Sequence, residues 1–312
     1  MAIAAEGREL RAAGITIPIL VLGYTPAGDI PILIESDLTQ TIFSYEMAKF
    51  ISYEACKLGK RIKIHIKVDT GMGRIGFVPH PESIEQIVDI NKLPNIEIEG
   101  IYTHFASADE EDPSYTKEQS SIFHGFLKEL NQVDIDFPII HAANSAGIIM
   151  HKNTHLSMVR LGIVLYGHYP SEVASTYGLN IIPAMSLKTQ VVHVKEVPKG
   201  QSIGYNRNYT TTKPTKIATI PIGYADGYGR GLSNKGRVLI RGEYAPVVGN
   251  ICMDQFMVDV THMNYVDVGD EVVIFGKQDS NEITVEEIAS LLGTINYEII
   301  CMIGKRIPRI YV

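Results

Sequence analysis

A chain of 312 residues with 45% hydrophobic and 20% charged side chains is long enough for one large domain or two ordinary ones, with the balance of a soluble globular protein. Its net charge of -7, from 28 basic and 35 acidic side chains without a Lys/Arg run, argues against nucleic acid as a partner. No apolar run reaches bilayer length, and the first residues lack the charged start and apolar core of a secretion signal. The three cysteines (Cys56, Cys252, Cys301) are scattered and form no C-x-x-C pair, which points to a reduced, cytoplasmic protein. The histidines include no H-E-x-x-H, so no metal site is expected.

The chain opens on a short apolar stub, Ala2–Ala5, that reads as a strand entered halfway, followed by a helical Glu6–Ala13. Apolar runs follow at Ile17–Leu22, Pro31–Ile34, Ile62–Val68, Ile96–Tyr102, Phe137–His141 and Met158–Tyr166. Helical spacing separates most of them. Ser44–Leu58 opens on a Ser cap and stops at Gly59, and Ser114–Leu130 aligns Ile122, Phe126, Leu127 and Leu130. Strands alternating with helices imply parallel pairing with crossover helices. Seven strands in this grammar suit a (β/α)8-type barrel short by one element at its N-terminus better than an open sheet.

After about residue 181 the pattern changes. Met185–Val197, Lys216–Ile222, Arg237–Ile240, Ala245–Val248, Phe256–Val260 and Glu271–Phe275 are β-rich runs punctuated by turn residues. One short helix, Thr284–Leu292, precedes a last run at Asn296–Ile303. The expected organisation is a partial, cofactor-binding barrel over 1–181 and a mostly β domain over 182–312.

In a parallel barrel, functional side chains sit at the C-terminal ends of strands. Four such ends here are polar: Asp69–Arg74, Thr103-His104, Asn144-Ser145 with Gly147, and Arg160 with Gly162. Each also has a bland reading. Asp69–Gly73 suits an ordinary turn, His104 a core histidine, and Asn144-Ser145 a helix cap. Arg160 inside an apolar segment needs an acceptor or anion. Together they favour a shared anionic ligand, with Ser145 and Gly147 suited to a phosphate. The second domain adds tyrosines in turn settings: Tyr205, Tyr224 and Tyr297.

At these residues the chain resembles the alanine racemases, a pyridoxal-phosphate family of barrel-plus-β-domain architecture. The resemblance rests on Lys67–Gly76, Tyr102-Thr103-His104-Phe105, Gly223–Gly227, Gly249–Gln255 and Asn296-Tyr297-Glu298, in order along essentially the whole chain. It implies interconversion of L- and D-alanine through a pyridoxal-phosphate aldimine. His104 would stack on the cofactor ring and Arg160 would face the ring nitrogen. Asn144, Ser145, Gly162 and Tyr297 would hold the phosphate. Arg74 would bind the cofactor's phenolic oxygen and the substrate carboxylate, positioned by Lys67 as a carbamate. From the partner subunit of a homodimer, Tyr205 would serve as one of two opposed bases, Met253 would contact the substrate carboxylate through its backbone, and Tyr224 would narrow the entrance.

Two departures qualify the resemblance. The segment Ser202–Tyr209 differs from the common Ser-Tyr-Gly-x-Thr-Tyr form, and counting back from Tyr209 and Tyr224 selects Tyr205 as the base rather than Ile203. More consequentially, the family's second base is the lysine that also holds the cofactor, in a Lys-Ala-Asn-Ala-Tyr-Gly-like motif on the first barrel strand, and no such motif occurs here. The resemblance therefore implies a chain without that strand, helix and lysine. The alternative to an active racemase is then an inactive remnant with weak or no cofactor binding, or a fragment completed in trans.

Overall fold

Ser44 starts the first long helix by accepting a hydrogen bond from the Met47 amide at 3.2 Å, and Gly59 ends it in the left-handed region at φ 62°. The computed structural model describes residues 1–312, which divide into two compact units, Met1–Ile181 and Ile182–Val312.

Unit 1 runs α1 (Ala4–Ala12), β1 (Leu20–Val21), α2 (Ile30–Glu35), β2 (Thr39–Ile42), α3 (Tyr45–Leu58), β3 (Ile62–Lys67), α4 (Pro81–Asn91), β4 (Ile96–Tyr102), α5 (Ser114–Asn131), β5 (Ile139–His141), α6 (Ser145–Met150) and α7 (Glu172–Ser175). The strands form one parallel sheet in the order β1-β2-β3-β4-β5. Strands β1 to β5 therefore follow chain order, the arrangement that right-handed crossovers produce in a barrel wall. The core between sheet and helices is apolar: Ile42, Ile51, Ile64, Ile66, Ile87, Ile101, Phe123 and Phe126 are buried.

Three of the expected strands are corrected here. The stub Ala2–Ala5 is strand-like only in its first half: Ala4 and Ala5 open α1, because the Glu6 carboxylate accepts the Ala2 amide at 2.8 Å and the Ile3 amide at 3.3 Å at the helix start, and alanine favours the helix that follows. Ile3 keeps an extended backbone, and Met1 and Ala2 before it pair through their backbone with Leu20, Leu22 and Gly23 at the edge of β1. Pro31–Ile34 belongs to α2; its buried residues Ile30, Leu33 and Ile34 have helical spacing, and Pro31 sits in the first turn where its missing N–H costs nothing. The strand at that place in the sheet is β2, a Thr-Gln-Thr-Ile segment buried at every position. Its polar side chains are paired, with Thr41 Oγ1 3.0 Å from the Tyr102 hydroxyl and Gln40 accepting from Thr25 Oγ1 at 2.6 Å. Met158–Tyr166 forms only a single parallel bridge, from Met158 to His141, before Gly162 breaks the extended path and Ile163–Tyr166 coils into a 3-10 turn. Helix α4 fills the interval between β3 and β4, and Ile87 and Ile90 supply its buried face.

Unit 2 comprises β6 (Leu187–Gln190), β7 (His193–Val197), β8 (Ser202–Ile203), β9 (Tyr209–Thr210), β10 (Thr215–Ile220), β11 (Arg237–Ile240), β12 (Glu243–Pro246), β13 (Phe256–Asp259), β14 (Glu271–Gln278), β15 (Asn281–Ile283), α8 (Val285–Leu292) and α9 (Asn296–Met302). One antiparallel sheet runs β13-β10-β7; a second runs β12-β11-β14-β15, with β6 beside β14. The Asn296–Ile303 run is another correction, since Asn296–Met302 is helical and packs Ile299 into the core. Thr284 caps α8 through its hydroxyl, which accepts the Glu287 amide at 3.1 Å.

Candidate active site

Strand β3 alternates, so Lys63, His65 and Lys67 share one face of the sheet while Ile62, Ile64 and Ile66 face the helices. On the same polar face β4 contributes Glu99 and, after a register shift, Tyr102; β5 contributes His141. Arg160 lies just past the Met158 bridge, its backbone N–H donating to Ala143 O at 3.0 Å. Its guanidinium donates through Nη1 to His141 Nδ1 at 2.6 Å and through Nη2 to Thr103 O at 2.9 Å and Ala142 O at 2.8 Å. His104 Nδ1 lies 3.2 Å from the same Nη2. The acceptors required by a half-buried guanidinium are thus strand-end carbonyls and two imidazoles.

Electrostatics follow from that arrangement. Burial, then the Arg160 and Arg74 charges, push the His104 imidazole down to about 3. Burial and Arg160 push His141 down to about 2. Both rings are therefore neutral at physiological pH. Burial lowers Arg160 itself to about 10, which still leaves it charged. Tyr102 is the platform beneath these groups: its ring stacks on His141 with centroids 4.5 Å apart, and lies 5.0 Å from the Arg160 guanidinium and 5.5 Å from Lys67 Nζ.

Lys67 is 2% exposed and donates to Val68 O at 2.6 Å. Burial lowers its ammonium to about 8; Arg160 and Arg74 add to the shift and Asp69 opposes it. The following loop is a turn built on Asp69, whose carboxylate accepts the amides of Gly71 and Gly73 at 3.0 Å and of Arg74 at 3.2 Å. Burial alone would raise that carboxyl, but the Gly71 and Gly73 amides and the Lys67 charge outweigh it and hold it low. Gly71 and Gly73 have positive φ, so the turn leaves Arg74 exposed at its end. The turn reading of Asp69–Gly73 therefore holds, and it is what presents Arg74.

Asn144 likewise caps α6, accepting the Gly147 amide at 2.9 Å. Ser145 Oγ accepts the Gly162 amide at 3.0 Å and the Val164 amide at 3.4 Å, which leaves its own hydroxyl proton to donate. A Cβ at Gly162 would stand 3.2 Å from Ser145 Oγ, so the glycine permits that approach. Gln119 of α5 ties the β3 and β4 ends together, donating to Thr70 Oγ1 at 3.3 Å and to His104 O at 3.2 Å.

In unit 2, Tyr205 is 69% exposed, whereas Ile203 is buried in β8 at 6%. The Tyr205 backbone is held by Asn250, whose Nδ2 donates to its carbonyl at 2.8 Å. The tyrosine borders a groove of about 440 Å³ with Ile203, Ile217, Cys252 and Met257. The loops of Tyr224 and Met253 are joined: the Tyr224 amide donates to Cys252 O at 3.2 Å and the Ala225 amide to Met253 O at 3.0 Å. A Cβ at Gly223 would lie 2.2 Å from Met253 O, so only glycine allows this contact. Arg306 clamps the pair, donating at 2.6 Å to both Asp226 and Asp254. Tyr297 lies in the first turn of α9 and is 37% exposed.

Comparison with known proteins identifies this architecture. Residues 1–170 match the family model described as "Alanine racemase, N-terminal domain", and residues 184–311 match "Alanine racemase, C-terminal domain". An alanine racemase of Methanococcus maripaludis is 55% identical over 306 residues, covering 98% of this chain and 82% of its own length. The chain belongs to the alanine racemase family. Among solved structures, alanine racemase of Clostridium difficile 630 superposes with a TM-score of 0.95 at 46% identity, covering all of this chain and 80% of that one. Alanine racemase from Bacillus anthracis with bound L-Ala-P gives 0.92 at 41% identity, again over 100% of this chain and 80% of that one.

Within this chain, unit 1 gathers Arg160, His141 and Lys67 around Tyr102, with His104 beside Arg160 and Ser145 beside Gly162. Tyr205, Tyr224, Met253 and Tyr297 lie in the other unit. The sequence reading passed over His65, Glu99, Tyr102 and His141. Their signal was present in the alternation of Lys63, His65 and Lys67 along a buried strand, where one face of polar residues requires partners.

Proposed function

We propose that this chain provides the cofactor and substrate cradle of an alanine racemase that uses pyridoxal phosphate to interconvert L- and D-alanine. The observation that carries the reading is the meeting of a half-buried guanidinium with a neutral imidazole, Arg160 and His104, in a chain of this family. The donor set fits the cofactor. Arg160 commits Nη1 and Nη2 to protein acceptors, and Nε is the donor it can turn to a ring nitrogen. A permanently charged donor there keeps that nitrogen unprotonated. Ser145 retains a hydroxyl proton for a phosphate oxygen, with Asn144, Gly162 and Tyr297 as its companions. When bound, pyridoxal phosphate supplies an electron-withdrawing ring that acidifies the α-carbon of an amino acid.

The remaining roles belong to this chain. His104, uncharged, offers a flat face to stack on the ring. Arg74, at the tip of the Asp69 turn, binds a carboxylate. Tyr205 of a second copy takes or returns the α-proton on one face, Met253 meets the carboxylate through its backbone, and Tyr224 narrows the approach. The reading thus includes a homodimer with shared sites. Three unpaired cysteines support a reducing, cytoplasmic setting, and no helix is long and apolar enough to cross a membrane. Tyr297 supports alanine over serine, and relative turnover of the two L-amino acids checks that choice.

Racemisation also needs a proton carrier on the opposite face. In this family that carrier is the cofactor lysine, and its motif is not among these 312 residues. Lys63 and Lys188 are engaged elsewhere, with Glu99 at 2.6 Å and Glu271 at 3.1 Å. We infer that a polypeptide of these residues alone binds the cofactor without a covalent bond and does not racemise alanine. Joining the lysine-bearing strand and helix of a relative to residue 1 is expected to produce D-alanine from L-alanine and a cofactor adduct trapped by borohydride. Racemisation by the 312 residues alone, or none from the joined protein, would overturn this reading.

Lys67 gives a separate expectation. Carbamate formation needs the neutral amine, and an ammonium lowered to about 8 supplies a substantial neutral fraction near physiological pH. At fixed dissolved carbon dioxide, carbamate occupancy should rise as pH rises through about 8 and level off above it. A carbamate carbon resonance after labelling with ¹³C-bicarbonate measures this, and Lys67→Met should abolish it.

A further inference from the structure

Four polar groups run in series across the inner face of the parallel sheet. Arg160 Nη1 lies 2.6 Å from His141 Nδ1, His141 Nε2 lies 2.9 Å from His65 Nδ1, and His65 Nε2 lies 3.5 Å from Glu99 Oε2. Lys63 Nζ holds the other Glu99 oxygen at 2.6 Å. Both imidazoles are buried, His65 at 2% and His141 at 0% exposure. The two rings are therefore shielded from solvent, while the Glu99 end of the series reaches it.

Its two ends have fixed polarity. A guanidinium can only donate, and an ionised carboxylate can only accept. Each neutral imidazole between them carries one donor and one acceptor. Only one assignment satisfies all three contacts: His141 accepts at Nδ1 and donates from Nε2, while His65 accepts at Nδ1 and presents Nε2–H to Glu99. Reversing His141 would set two donors face to face at 2.6 Å, and reversing His65 would do so at 2.9 Å. A second proton on either ring creates the same clash.

The surroundings agree. Burial holds His65 low against the opposing pull of Glu99, and Arg160 and Lys63 add to the lowering. Tyr102 stacks on one face of His141. Gly100 gives His65 its place, since a Cβ there would stand 2.7 Å from His65 Cε1 and 2.8 Å from Nδ1.

We infer that Glu99 and His65 are positioning residues: through the tautomer of His141 they hold Arg160 so that its Nε faces the cofactor's ring nitrogen. The functional half of this inference rests on the proposed cofactor reading, whereas the tautomer half does not. Without the carboxylate, only the Arg160 end opposes the reversed series, in which His65 carries its proton on Nδ1. His141 then accepts at Nε2 and turns Nδ1–H against Arg160, which displaces the guanidinium. A group two rings away thereby sets the orientation of Arg160.

The test is long-range ¹H–¹⁵N correlation on the histidine-labelled 312-residue chain, first without cofactor. The wild type should show both His65 and His141 as neutral Nε2–H tautomers. Glu99→Leu should shift both toward Nδ1–H or a mixture, and Glu99→Asp, which keeps an acceptor-only carboxylate, should restore them. Finding either ring as Nδ1–H or doubly protonated in the wild type overturns the inference without any variant having to fold. So does Glu99→Leu with both tautomers unchanged. Titration with pyridoxal phosphate, read by absorbance, then separates the two readings. Correct tautomers without binding count against the cofactor reading alone. Binding equal in wild type and Glu99→Leu counts against the positioning role, for which a loss of affinity of about tenfold or more is expected.

Discussion

Replacing Tyr205 by Phe should lower racemisation about 10²- to 10⁴-fold, the usual contribution of a positioned proton-transfer group. The measurement uses the protein in which these residues are joined to the lysine-bearing strand. Removing one hydroxyl from a side chain 69% exposed, whose backbone is held by Asn250, should change stability by less than about 0.5 kcal/mol. Loss of activity would then be chemical and not structural. Proton exchange in D₂O sharpens the test, because a two-base reaction loses one face only. One alanine enantiomer should keep exchanging its α-proton through the lysine, while exchange of the other and net racemisation collapse together. Equal loss for both enantiomers would remove Tyr205 from the single-face role.

Acid should unfold unit 1 well before it protonates most carboxylates. His104 and His141 are held down to about 3 and about 2 by burial and Arg160, against an ordinary value of 6.5. In the unfolded chain both rings take up protons below about pH 6.5, while the folded chain refuses them. The unfolded state thus binds more protons, and stability falls as pH falls through that window. Each ring contributes up to about 1.4 kcal/mol per pH unit, so the two together reach roughly 2.8 kcal/mol per unit. Against a net stability of about 5–15 kcal/mol, one to two units would remove a large share. Urea midpoints at successive pH values read this directly. The midpoint should drop steadily below about pH 6.5, and His141→Gln should roughly halve the slope. A flat midpoint between about pH 7 and pH 5 would show that the rings are not buried neutral.

Much of this molecule was legible in its residues. The cap and stop of Ser44–Leu58, the strand Ile96–Tyr102 and the change of grammar near residue 181 came from periodicity and turn chemistry, which are local. The family came from blocks such as Tyr102-Thr103-His104-Phe105 and Asn296-Tyr297-Glu298, where side-chain identity carries the signal. Reading failed where apolarity and secondary structure part company. Pro31–Ile34 is apolar yet helical, while Thr39–Ile42 is largely polar yet a fully buried strand, because Gln40 and Thr41 find partners on Thr25 and Tyr102. No local rule separates those cases, since the partners lie far along the chain.

The same distinction governs the site. The sequence by itself determined which chemical groups are present: a guanidinium, imidazoles, a lysine at a strand end, a glycine-rich turn and tyrosines in turn settings. Only the tertiary structure decided which of these groups meet. Arg160 is 19 residues from His141 and 57 from Thr103, and His65 is 76 from His141. Adjacent strands of a parallel sheet bring such distant positions side by side, and burial then fixes their protonation. Charge state and tautomer are properties of that neighbourhood, so they emerge only when the sheet is assembled.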